Sequence, residues 1–266
     1  MTRLQERTAV VTGASANIGG ALARGLAAAG ARVICTDLVA EVAEATAAAI
    51  RREGGEALSV AGDVTDPAHA TEVVDLATER WGGIDVLVNN AMVFNHKGLL
   101  TMPIDEYRQQ LDVCLTGALV FTRAVAESMI AAGRPGSIIN VLSTAAWQGQ
   151  PGNIGYSTAK SGLVNFTRSA AMELAEHGIR VNGFTPTVTQ PSDPAVEVLL
   201  RGVASKENAY PNDFYGLMPL SSLPTTDDYV PAVVFLASDD SRMITGSNIT
   251  VDAGATAKYW PWIPRR

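Results

Sequence analysis

Residues 8–37, TAVVTGASANIGGALARGLAAAGARVICTD, decide the fold of this chain. The stretch predicts a strand over Thr8–Val11, a glycine-containing turn, and an alanine- and leucine-rich helix that ends at Gly30. A second apolar strand, Arg32–Thr36, follows and stops at Asp37. Two continuously apolar strands joined by one helix are typical of a parallel sheet that is buried on both faces.

The same alternation of strands and helices continues along the chain. The later predicted strands are Ala57–Ala61, Ile84–Val88, Ser137–Leu142, Ile179–Phe184 and Ile249–Val251, and the later helices are Glu41–Arg52, 67–81, Ile104–Ala132, Ile154–His177 and Asp227–Ala237. Because no linker, repeat or low-complexity tract interrupts this pattern, we predict a doubly wound α/β sheet in a single domain over residues 1–266. Ligands bind such a sheet beyond the carboxyl ends of its strands.

The composition narrows the class of protein. The 266 residues are 47% hydrophobic with a net charge of −7, which argues against nucleic acid and anionic membrane surfaces as partners. Two cysteines, Cys35 and Cys114, are too few for a disulfide framework, and the three histidines lack metal-ligand spacing, so no metal site is expected. Without an apolar signal core or an uninterrupted apolar run of about 18 residues, we expect a cytoplasmic protein outside the membrane.

The turn after the first strand is a candidate phosphate site. Gly13 and Gly19 bracket it, and it precedes a helix N-terminus, whose dipole favours an anion. Glycine lets the backbone approach a pyrophosphate closely, although any strand-to-helix turn favours glycine and serine. Asn17 stands where a third glycine would be easiest, and we expect asparagine to tolerate a left-handed backbone there.

Asp37 closes the second strand, 18 residues after Gly19. A carboxylate at this point accepts hydrogen bonds from an adenosine ribose and repels a 2′-phosphate, so we predict NAD rather than NADP. The alternative is an aspartate that caps a helix or a turn. Arg32 opens the same strand and is poorly placed to bind a 2′-phosphate. Asp63 and Val64 follow the third strand and either contact the adenine edge or form a turn.

A candidate catalytic group lies in residues 143–160, STAAWQGQPGNIGYSTAK. Tyr156 and Lys160 are four residues apart, which puts them on one face of a helix. An ammonium about 5 Å away supplies roughly 3 kcal/mol at a dielectric of about 20, most of what a phenol needs to act as a base near neutral pH. Ser143 follows the fifth strand, where its hydroxyl can hydrogen-bond an alcohol or ketone oxygen. The alternative is an ordinary surface tyrosine and lysine.

With these motifs in place, the chain resembles the classical short-chain dehydrogenase/reductase family over nearly its whole length. The matching motifs are, in order, Thr12-Gly13 with Gly19, Asp37, Asp63-Val64, Asn89-Asn90-Ala91, Ser143 with Tyr156 and Lys160, Arg180-Val181-Asn182, Pro186 and the segment from Phe235 to Gly254. The resemblance implies a Rossmann-like fold with a seven-stranded parallel sheet, a nicotinamide cofactor, and hydride transfer between an alcohol and a ketone. It also implies a homodimer or homotetramer paired through the two long helices, 104–132 and 154–177.

The resemblance also assigns roles to individual residues. It implies that Tyr156 is the acid/base, that Ser143 donates to the substrate oxygen, and that Lys160 lowers the tyrosine pKa and binds a ribose. The residues expected to bind NAD are Gly13, Ser15, Asn17, Ile18, Gly19, Asp37, Leu38, Asp63, Val64, Asn90, Ala91, Tyr156, Lys160, Pro186, Thr187 and Thr189. A small-molecule substrate is expected to contact Ser143, Tyr156, Phe94, Trp147 and Asn153.

Several positions depart from the family pattern. Asn17 replaces the middle glycine of the first turn, Met92 replaces the glycine after Asn-Asn-Ala, and Thr187 replaces a glycine that usually follows proline. Pro191 stands where a carboxamide-binding threonine is common. Cys114 replaces an asparagine that helps hold a proton-relay water. Since a thiol is a weak hydrogen-bond partner, we expect activity that is retained and at most slowed.

The substrate side is predicted to be apolar. Met92, Phe94, Trp147 and an aromatic-rich lid at about 187–220 would form the pocket, which favours a hydrophobic, ring-bearing secondary alcohol or its ketone. At least half of these aromatic side chains fit a core position equally well. Asn153 and its polar neighbours would also suit hydroxyl groups, so a polyol remains an alternative.

The C-terminal tail, residues 255–266, is also aromatic, and we expect it to pack on another subunit because its exposure would be costly. Three functions remain open from the sequence. The first is an NAD-dependent alcohol dehydrogenase or ketoreductase, and the second is a diol, dihydrodiol or polyol dehydrogenase. The third is a non-catalytic, nucleotide-sensing protein that keeps the fold. The presence of Ser143, Tyr156 and Lys160 favours an enzyme.

Overall fold

Seven parallel strands form one sheet: β1 (Thr8–Thr12), β2 (Arg32–Asp37), β3 (Ala57–Ala61), β4 (Val86–Asn89), β5 (Gly136–Val141), β6 (Ile179–Pro186) and β7 (Asn248–Val251). Their order across the sheet is β3-β2-β1-β4-β5-β6-β7. The structure is a computed structural model, and it describes residues 3–190 and 218–257. Because the strand order reverses at β1 and β4, the carboxyl ends of these neighbours open a crevice for a ligand. The predicted doubly wound parallel sheet is confirmed.

Helices cover both faces of the sheet: α1 (Ile18–Ala28), α2 (Ala40–Arg52), α3 (Pro67–Trp81), α4 (Ile104–Leu111), α5 (Gly117–Ala131), α6 (Ile154–Leu174) and α7 (Val230–Ala237). Helices α1, α2 and α7 pack on one face, together with Val11 and Val33 of the strands. Helices α3, α5 and α6 pack on the other face, with Val10 and Ile34. Successive strand residues point to opposite faces, so a sheet covered on both sides needs apolar residues at every position.

The long helix predicted over Ile104–Ala132 is interrupted by one π-helical turn, Asp112–Thr116, between α4 and α5. The turn carries the buried Cys114. A π turn inserts one residue into the helical repeat, and hydrophobic periodicity gave no sign of it. Smaller differences occur at β4, which begins at Val86, and at β6, which runs on to Pro186.

The helical segment Ile104–Ala131 is long and apolar enough, by length and composition alone, to cross a membrane. Within the described structure, 44% of its most apolar window is buried, with Phe121, Val125 and Met129 packed against the sheet. The position of α5 in the core of the domain therefore accounts for this apolar composition.

Two predicted features fall mainly outside the described residues. The lid at about 187–220 lies largely in residues 191–217, and the aromatic part of the tail lies in residues 258–266. Within the described part, Met218 is buried. Asp252 holds the turn after β7, because its carboxylate accepts hydrogen bonds from the amides of Gly254 and Thr256.

Candidate active site

The turn between β1 and α1 is shaped by contacts that leave no room for side chains. A Cβ added to Gly19 would lie 2.0 Å from the carbonyl oxygen of Gly13 and 2.5 Å from Nδ2 of Asn90. Gly13 has a φ of +63°, in the left-handed region that favours glycine, and a Cβ there would lie 2.7 Å from Cα of Ala91. Both glycines are therefore required by the backbone itself.

Asn90, at the end of β4, ties the two central strands together at this turn. Its side-chain Nδ2 donates to the carbonyls of Thr12 (3.1 Å) and Gly13 (2.8 Å), and its backbone amide donates to Oγ1 of Thr12 (3.0 Å). The amide of Ala91 donates to the same hydroxyl at 3.1 Å. Thr12 thus orients the cleft residues Asn90 and Ala91, a role that the sequence motif did not reveal.

Asn17 precedes α1 with a φ of −99°, so its backbone does not need the left-handed conformation that asparagine tolerates. Its side chain makes no capping hydrogen bond, and its buried Oδ1 finds no partner among the described residues. Buried polar atoms are normally hydrogen-bonded, so a ligand that donates a hydrogen bond would pair this oxygen. The neighbouring glycine turn excludes side chains and lies at a helix N-terminus, which suits a phosphate. The residues of this turn therefore fit the phosphates and riboses of a dinucleotide.

Asp37 ends β2 at the same edge of the sheet. Its Oδ1 accepts a hydrogen bond from the amide of Val39 at 3.2 Å, so the turn alternative is observed for Asp37, while the N-cap of α2 is Val39. A contact of Asp37 with an adenosine ribose stays a prediction. Leu38 is 71% exposed beside it, where it is open to a ligand. The guanidinium of Arg32 lies over the ring of Trp81, 5.8 Å from its centroid, at the opposite end of the strand, as its place in the sequence indicated.

Asp63 and Val64 have structural partners in the described chain. Oδ1 of Asp63 accepts hydrogen bonds from the amide and the hydroxyl of Thr65, both at 2.8 Å. Val64 is buried and lies under Gly117 of α5. The turn alternative is thus observed for Asp63, while a contact to adenine stays a prediction.

Tyr156 and Lys160 lie on one face of α6, one turn apart, as the spacing predicts. Lys160 is 2% exposed; its Nζ donates to the carbonyl of Val141 at 2.6 Å and lies 5.6 Å from the centroid of the Tyr156 ring. Ser143 follows β5 and caps a short 3-10 turn, accepting from the amide of Ala145 at 3.1 Å. The Ser143 side chain is close enough to the Tyr156 phenol to lower its pKa, so the structure brings the three predicted catalytic residues together.

The electrostatics of this group differ from the sequence argument, which expected Lys160 to lower the pKa of Tyr156. Burial raises the pKa of Tyr156, the hydrogen bond with Ser143 lowers it, and charge on the nearby Cys114 raises it. Burial also lowers the pKa of Lys160. An ammonium that is itself desolvated and bonded to a backbone carbonyl does not offset the burial of the phenol. A further positive charge is needed before Tyr156 ionises readily.

Cys114 occupies the π turn beside these residues. Its Sγ donates a weak hydrogen bond to the carbonyl of Val93 at 3.5 Å, and the side chain is 2% exposed. This bond joins the helical segment to the loop that follows β4. The thiol therefore has a packing and positioning role in addition to its place near Tyr156 and Lys160.

The segment after β6 is held by a tyrosine that the sequence did not single out. The hydroxyl of Tyr229 contacts Oγ1 of Thr189 at 2.7 Å and donates to the carbonyl of Thr187 at 3.2 Å. Oγ1 of Thr189 also donates to that carbonyl at 2.9 Å, so Thr189 is already engaged. Oγ1 of Thr187 lies 3.5 Å from Oγ1 of Thr144. Tyr229 is far away in sequence and belongs to no spaced motif, which explains the omission.

A buried polar chain fixes the register of the strands beneath the site. Nδ2 of Asn89 donates to Oδ1 of Asn140 (2.9 Å) and to Oγ1 of Thr122 (3.0 Å), and Nδ2 of Asn140 donates to Oγ1 of Thr167 (2.9 Å). Asn89 and Asn140 face each other in the pairing of β4 with β5. These bonds link both strands to α5 and α6, so they align the ends that carry Asn90 and Ser143.

The predicted substrate residues do not share one kind of contact. The ring centroid of Phe94 lies 5.8 Å from that of Tyr156, which places Phe94 beside the catalytic group. Trp147 is 43% exposed, and its Nε1 donates to Oγ1 of Thr185 at 3.3 Å. Asn153 is buried at the start of α6, where Nδ2 donates to Oε1 of Gln150 at 3.0 Å and Oδ1 has no partner among the described residues. Contacts of Trp147 and Asn153 with a substrate stay predictions.

Metal ligands do not cluster in the described parts of the chain. Over residues 3–190 and 218–257, no group of three or more histidine, cysteine, aspartate or glutamate side chains is arranged to hold a metal ion. The titratable groups at the site are the phenol, the ammonium and the thiol of Tyr156, Lys160 and Cys114.

Known proteins of similar sequence and structure match this chain over almost their whole length. A family model described as enoyl-(acyl carrier protein) reductase matches residues 13–256. The chain is 36% identical to trans-4-hydroxycyclohexanecarboxylate dehydrogenase of Sinomonas cyclohexanicum, covering 96% of this chain and 95% of the relative. It is also 36% identical to galactitol 2-dehydrogenase of Agrobacterium fabrum, covering 95% and 98%.

A solved structure agrees with these relatives. Gluconate 5-dehydrogenase from Burkholderia cenocepacia J2315, in complex with NADP and tartrate, superposes with a TM-score of 0.86 at 31% identity, covering 97% of this chain and 98% of the other. The sheet order, the glycine turn and the serine–tyrosine–lysine group had already pointed to the same family. The chain belongs to the classical short-chain dehydrogenase/reductase family.

Proposed function

We propose that this protein is an NAD-dependent oxidoreductase that interconverts a hydrophobic, ring-bearing secondary alcohol and its ketone. The observation that carries the proposal is the contact of Tyr156 with Ser143 and Lys160, at the same edge of the sheet as the glycine turn. Ser143 follows β5 and the turn follows β1, and only β4 lies between these two strands, so the proton-transfer group and the dinucleotide cleft lie at the same edge of the sheet. Membership of the family makes the protein an oxidoreductase; the cofactor and the substrate are our proposals.

The chain's own residues perform the proton chemistry. A bound nicotinamide ring would supply the acceptor for the hydride of the carbinol carbon, and in its reduced form the hydride donor for the reverse reaction. Tyr156 takes the hydroxyl proton during oxidation and gives it back during reduction. Ser143 hydrogen-bonds the same oxygen and stabilises the charge that develops on it. Lys160 lies next to the phenol, with Nζ 5.6 Å from the ring centroid, where its ammonium would stabilise the tyrosinate that accepts the proton.

Residues around the glycine turn would hold the cofactor. Gly13 and Gly19 would admit the pyrophosphate, and the unpaired oxygen of Asn17 would accept a hydrogen bond from a ribose hydroxyl. Asp37 would accept hydrogen bonds from the adenosine ribose. Thr187 has the less engaged of the two hydroxyls after β6, so it suits the carboxamide better than Thr189. The acidic end of β2 supports NAD, although the NADP bound to gluconate 5-dehydrogenase shows that a related protein accepts the phosphorylated cofactor.

The preference for a ring-bearing substrate is supported by the apolar groups near Tyr156. Phe94 lies against its ring, and Met92 and Trp147 are each more than two-fifths exposed, as expected for walls of an apolar pocket. The relative that acts on trans-4-hydroxycyclohexanecarboxylate has a cyclic secondary alcohol as its named substrate. Among the named relatives, both dehydrogenases concern CH–OH groups, which favours carbonyl chemistry over reduction of a carbon–carbon double bond.

A polyol or diol substrate is the second candidate. One observation favours it: Oδ1 of Asn153 is buried without a partner, and a second substrate hydroxyl would donate to it. Galactitol 2-dehydrogenase, a relative of equal identity, is named for a polyol. A strong loss of rate on removing the second hydroxyl from the substrate would favour this candidate.

We further propose a cytoplasmic homodimer or homotetramer that is paired through α4–α5 and α6. Exposed apolar side chains on these helices support the pairing; they are Ile104, Leu119, Ile130 and Met172. The predicted packing of the aromatic tail on another subunit belongs to the same proposal. Light scattering of the purified protein tests it, and a monomer at micromolar concentration would contradict it.

The test of function is an assay with NAD and with NADP on cyclic alcohols, open-chain alcohols and polyols, followed at about 340 nm where the reduced cofactor absorbs. We expect oxidation of cyclic secondary alcohols with NAD. Cofactor binding is measured separately by quenching of tryptophan fluorescence. A protein that binds NAD with no turnover on any member of the panel would support the nucleotide-sensing function instead.

A further inference from the structure

Residues 90–103, the loop between β4 and α4, are fastened to the first turn of α4 by one carboxylate. Nζ of Lys97 lies 2.6 Å from Oε1 and 2.7 Å from Oε2 of Glu106, a bidentate ion pair. Nδ2 of Asn95 donates to Oε2 of Glu106 at 2.6 Å. About a third of each charged side chain is exposed, so the pair is shielded on its other sides. One carboxylate thus holds two residues of the loop.

The same loop has a second point of attachment and its own internal bonds. The carbonyl of Val93 accepts the hydrogen bond from Sγ of Cys114 in the π turn. Oδ1 of Asn95 accepts from the amide of Lys97 at 3.3 Å, and the amide of Met102 donates to the carbonyl of Gly98 at 2.9 Å. The loop is therefore fixed on both sides of residue 94.

Phe94 lies between the two attachments. Its ring centroid is 5.8 Å from that of Tyr156, at an interplanar angle of 54°, and 5.3 Å from that of His96 in an edge contact. Phe94 is 36% exposed, so part of its surface is open to a ligand. Because the residues on both sides of Phe94 are held, its ring presents the exposed surface in one position.

We propose that Glu106 is a positioning residue that holds Phe94 as a fixed wall beside Tyr156, and that this wall selects ring-bearing over open-chain secondary alcohols. The inference rests on the proposed function. A fixed aromatic face matches a rigid ring without loss of substrate freedom, whereas an open chain must be ordered to make the same contact. Glu106 acts through Lys97 and Asn95 and does not contact the substrate.

The first test measures the loop without any substrate. Hydrogen exchange followed by mass spectrometry is compared for the wild-type protein, Glu106→Ala and the control Asp105→Ala. Asp105 is also in the first turn of α4, but its exposed side chain pairs only with Arg108 of the same helix among the contacts described. We expect the amides of Lys97, Gly98 and Met102 to exchange about tenfold faster in Glu106→Ala, and at the wild-type rate in Asp105→Ala. Unchanged exchange rates in Glu106→Ala would overturn the proposal that Glu106 holds this loop.

The second test separates substrate selection from general damage. Cyclohexanol and 2-hexanol, which have the same number of carbon atoms, are oxidised with NAD by the same three proteins. We expect Glu106→Ala to raise KM for cyclohexanol about fivefold to tenfold, with kcat and the constants for 2-hexanol changed by less than about twofold. Glu106→Gln keeps an acceptor for Asn95 but loses the charge. Its KM for cyclohexanol should lie between those of the wild-type protein and Glu106→Ala.

The outcomes distinguish the two proposals. Equal losses on both alcohols, or a loss in kcat alone, would overturn selection by Phe94 even if the loop exchanges faster. If the wild-type protein oxidises no alcohol, the proposed function fails and selection fails with it, while the exchange experiment still decides whether Glu106 fixes the loop. Fluorescence titration with NAD should give the same affinity for all three proteins, because Asn90 and Ala91, the predicted cofactor residues of this loop, are held by Thr12 and Gly13.

Discussion

The nucleotide end and the substrate end of the candidate site are built in different ways. At the nucleotide end, backbone lies against backbone: the Cβ that Gly19 lacks would meet the carbonyl of Gly13 at 2.0 Å. At the substrate end, partly exposed side chains from separate segments meet, as with Phe94 of the β4–α4 loop and Tyr156 of α6. The geometry of the nucleotide end depends on a steric limit, which a short sequence motif is enough to satisfy. The geometry of the substrate end depends on contacts between residues that are far apart in the sequence.

The largest effect is expected where the two ends meet. Tyr156→Phe removes the proton acceptor and keeps the ring that packs against Phe94, so we expect kcat to fall about 1,000-fold or more with little change in NAD affinity. Rates are measured by absorbance and affinity by fluorescence. Tyr107→Phe, a change of the same size on α4, is the control. Near wild-type turnover of Tyr156→Phe would show that Tyr156 is not the acid/base of the reaction.

The ionisation of Tyr156 links the two ends. Because burial raises its pKa above the ordinary value of about 10, the neutral phenol is favoured in the folded protein and ionises only at higher pH. We expect saturating NAD to lower this pKa, since a cationic ring adds positive charge near the phenol. Tyrosinate absorbance during a pH titration, with the signal of Tyr156→Phe subtracted, measures the shift. If the pKa of Tyr156 is the same with and without NAD, the charge of the cofactor does not act on the phenol, and the two do not lie close together.

A substitution at Gly19 tests whether the nucleotide end is a steric site. Gly19→Ala should weaken NAD binding about 30-fold or more, because its Cβ must displace the Gly13 carbonyl or the Asn90 side chain. The matched control is Gly149→Ala, whose added Cβ meets no atom within 4 Å. Fluorescence titration gives the affinities, and circular dichroism confirms that both variants are folded. Equal affinities for the two variants would mean that the cofactor does not depend on this turn.

The difference between the ends also explains what the sequence predicted. The glycine turn, the strand ends and the pair Tyr156–Lys160 depend on local spacing, so the motifs placed them correctly. Tyr229 and Glu106 act through partners that are forty and nine residues away, and no local pattern marks them. The π turn at Cys114 is a change of one residue in a helical repeat, which hydrophobic periodicity does not resolve. The sign of the Tyr156 pKa shift depended on burial, which spacing alone does not reveal.

A side chain at the nucleotide end should produce a smaller effect than the glycine turn. Asp37→Ala removes the carboxylate at the end of β2, and we expect the ratio of kcat/KM for NAD to that for NADP to fall about tenfold. Asp63→Ala is the comparison, because its carboxylate is engaged in a turn with Thr65. A fall in kcat/KM by the same factor with NAD and with NADP in Asp63→Ala would support the predicted adenine contact, because both cofactors contain adenine. An unchanged ratio in Asp37→Ala would contradict cofactor selection by this residue.

The smallest effect is expected at Cys114, behind the substrate end. Its thiol makes one long hydrogen bond, 3.5 Å to the carbonyl of Val93, and an asparagine amide would donate to the same carbonyl more strongly. Cys114→Asn should therefore preserve turnover or raise it by about threefold at most, since a firmer bond holds the loop that carries Phe94. Initial rates with cyclohexanol measure this, and Cys35→Ser, at a buried thiol in β2, controls for loss of a cysteine. A large loss of turnover confined to Cys114→Asn would show that the π turn needs a small, weakly polar side chain. In that case the substrate end, like the nucleotide end, would be limited by steric fit.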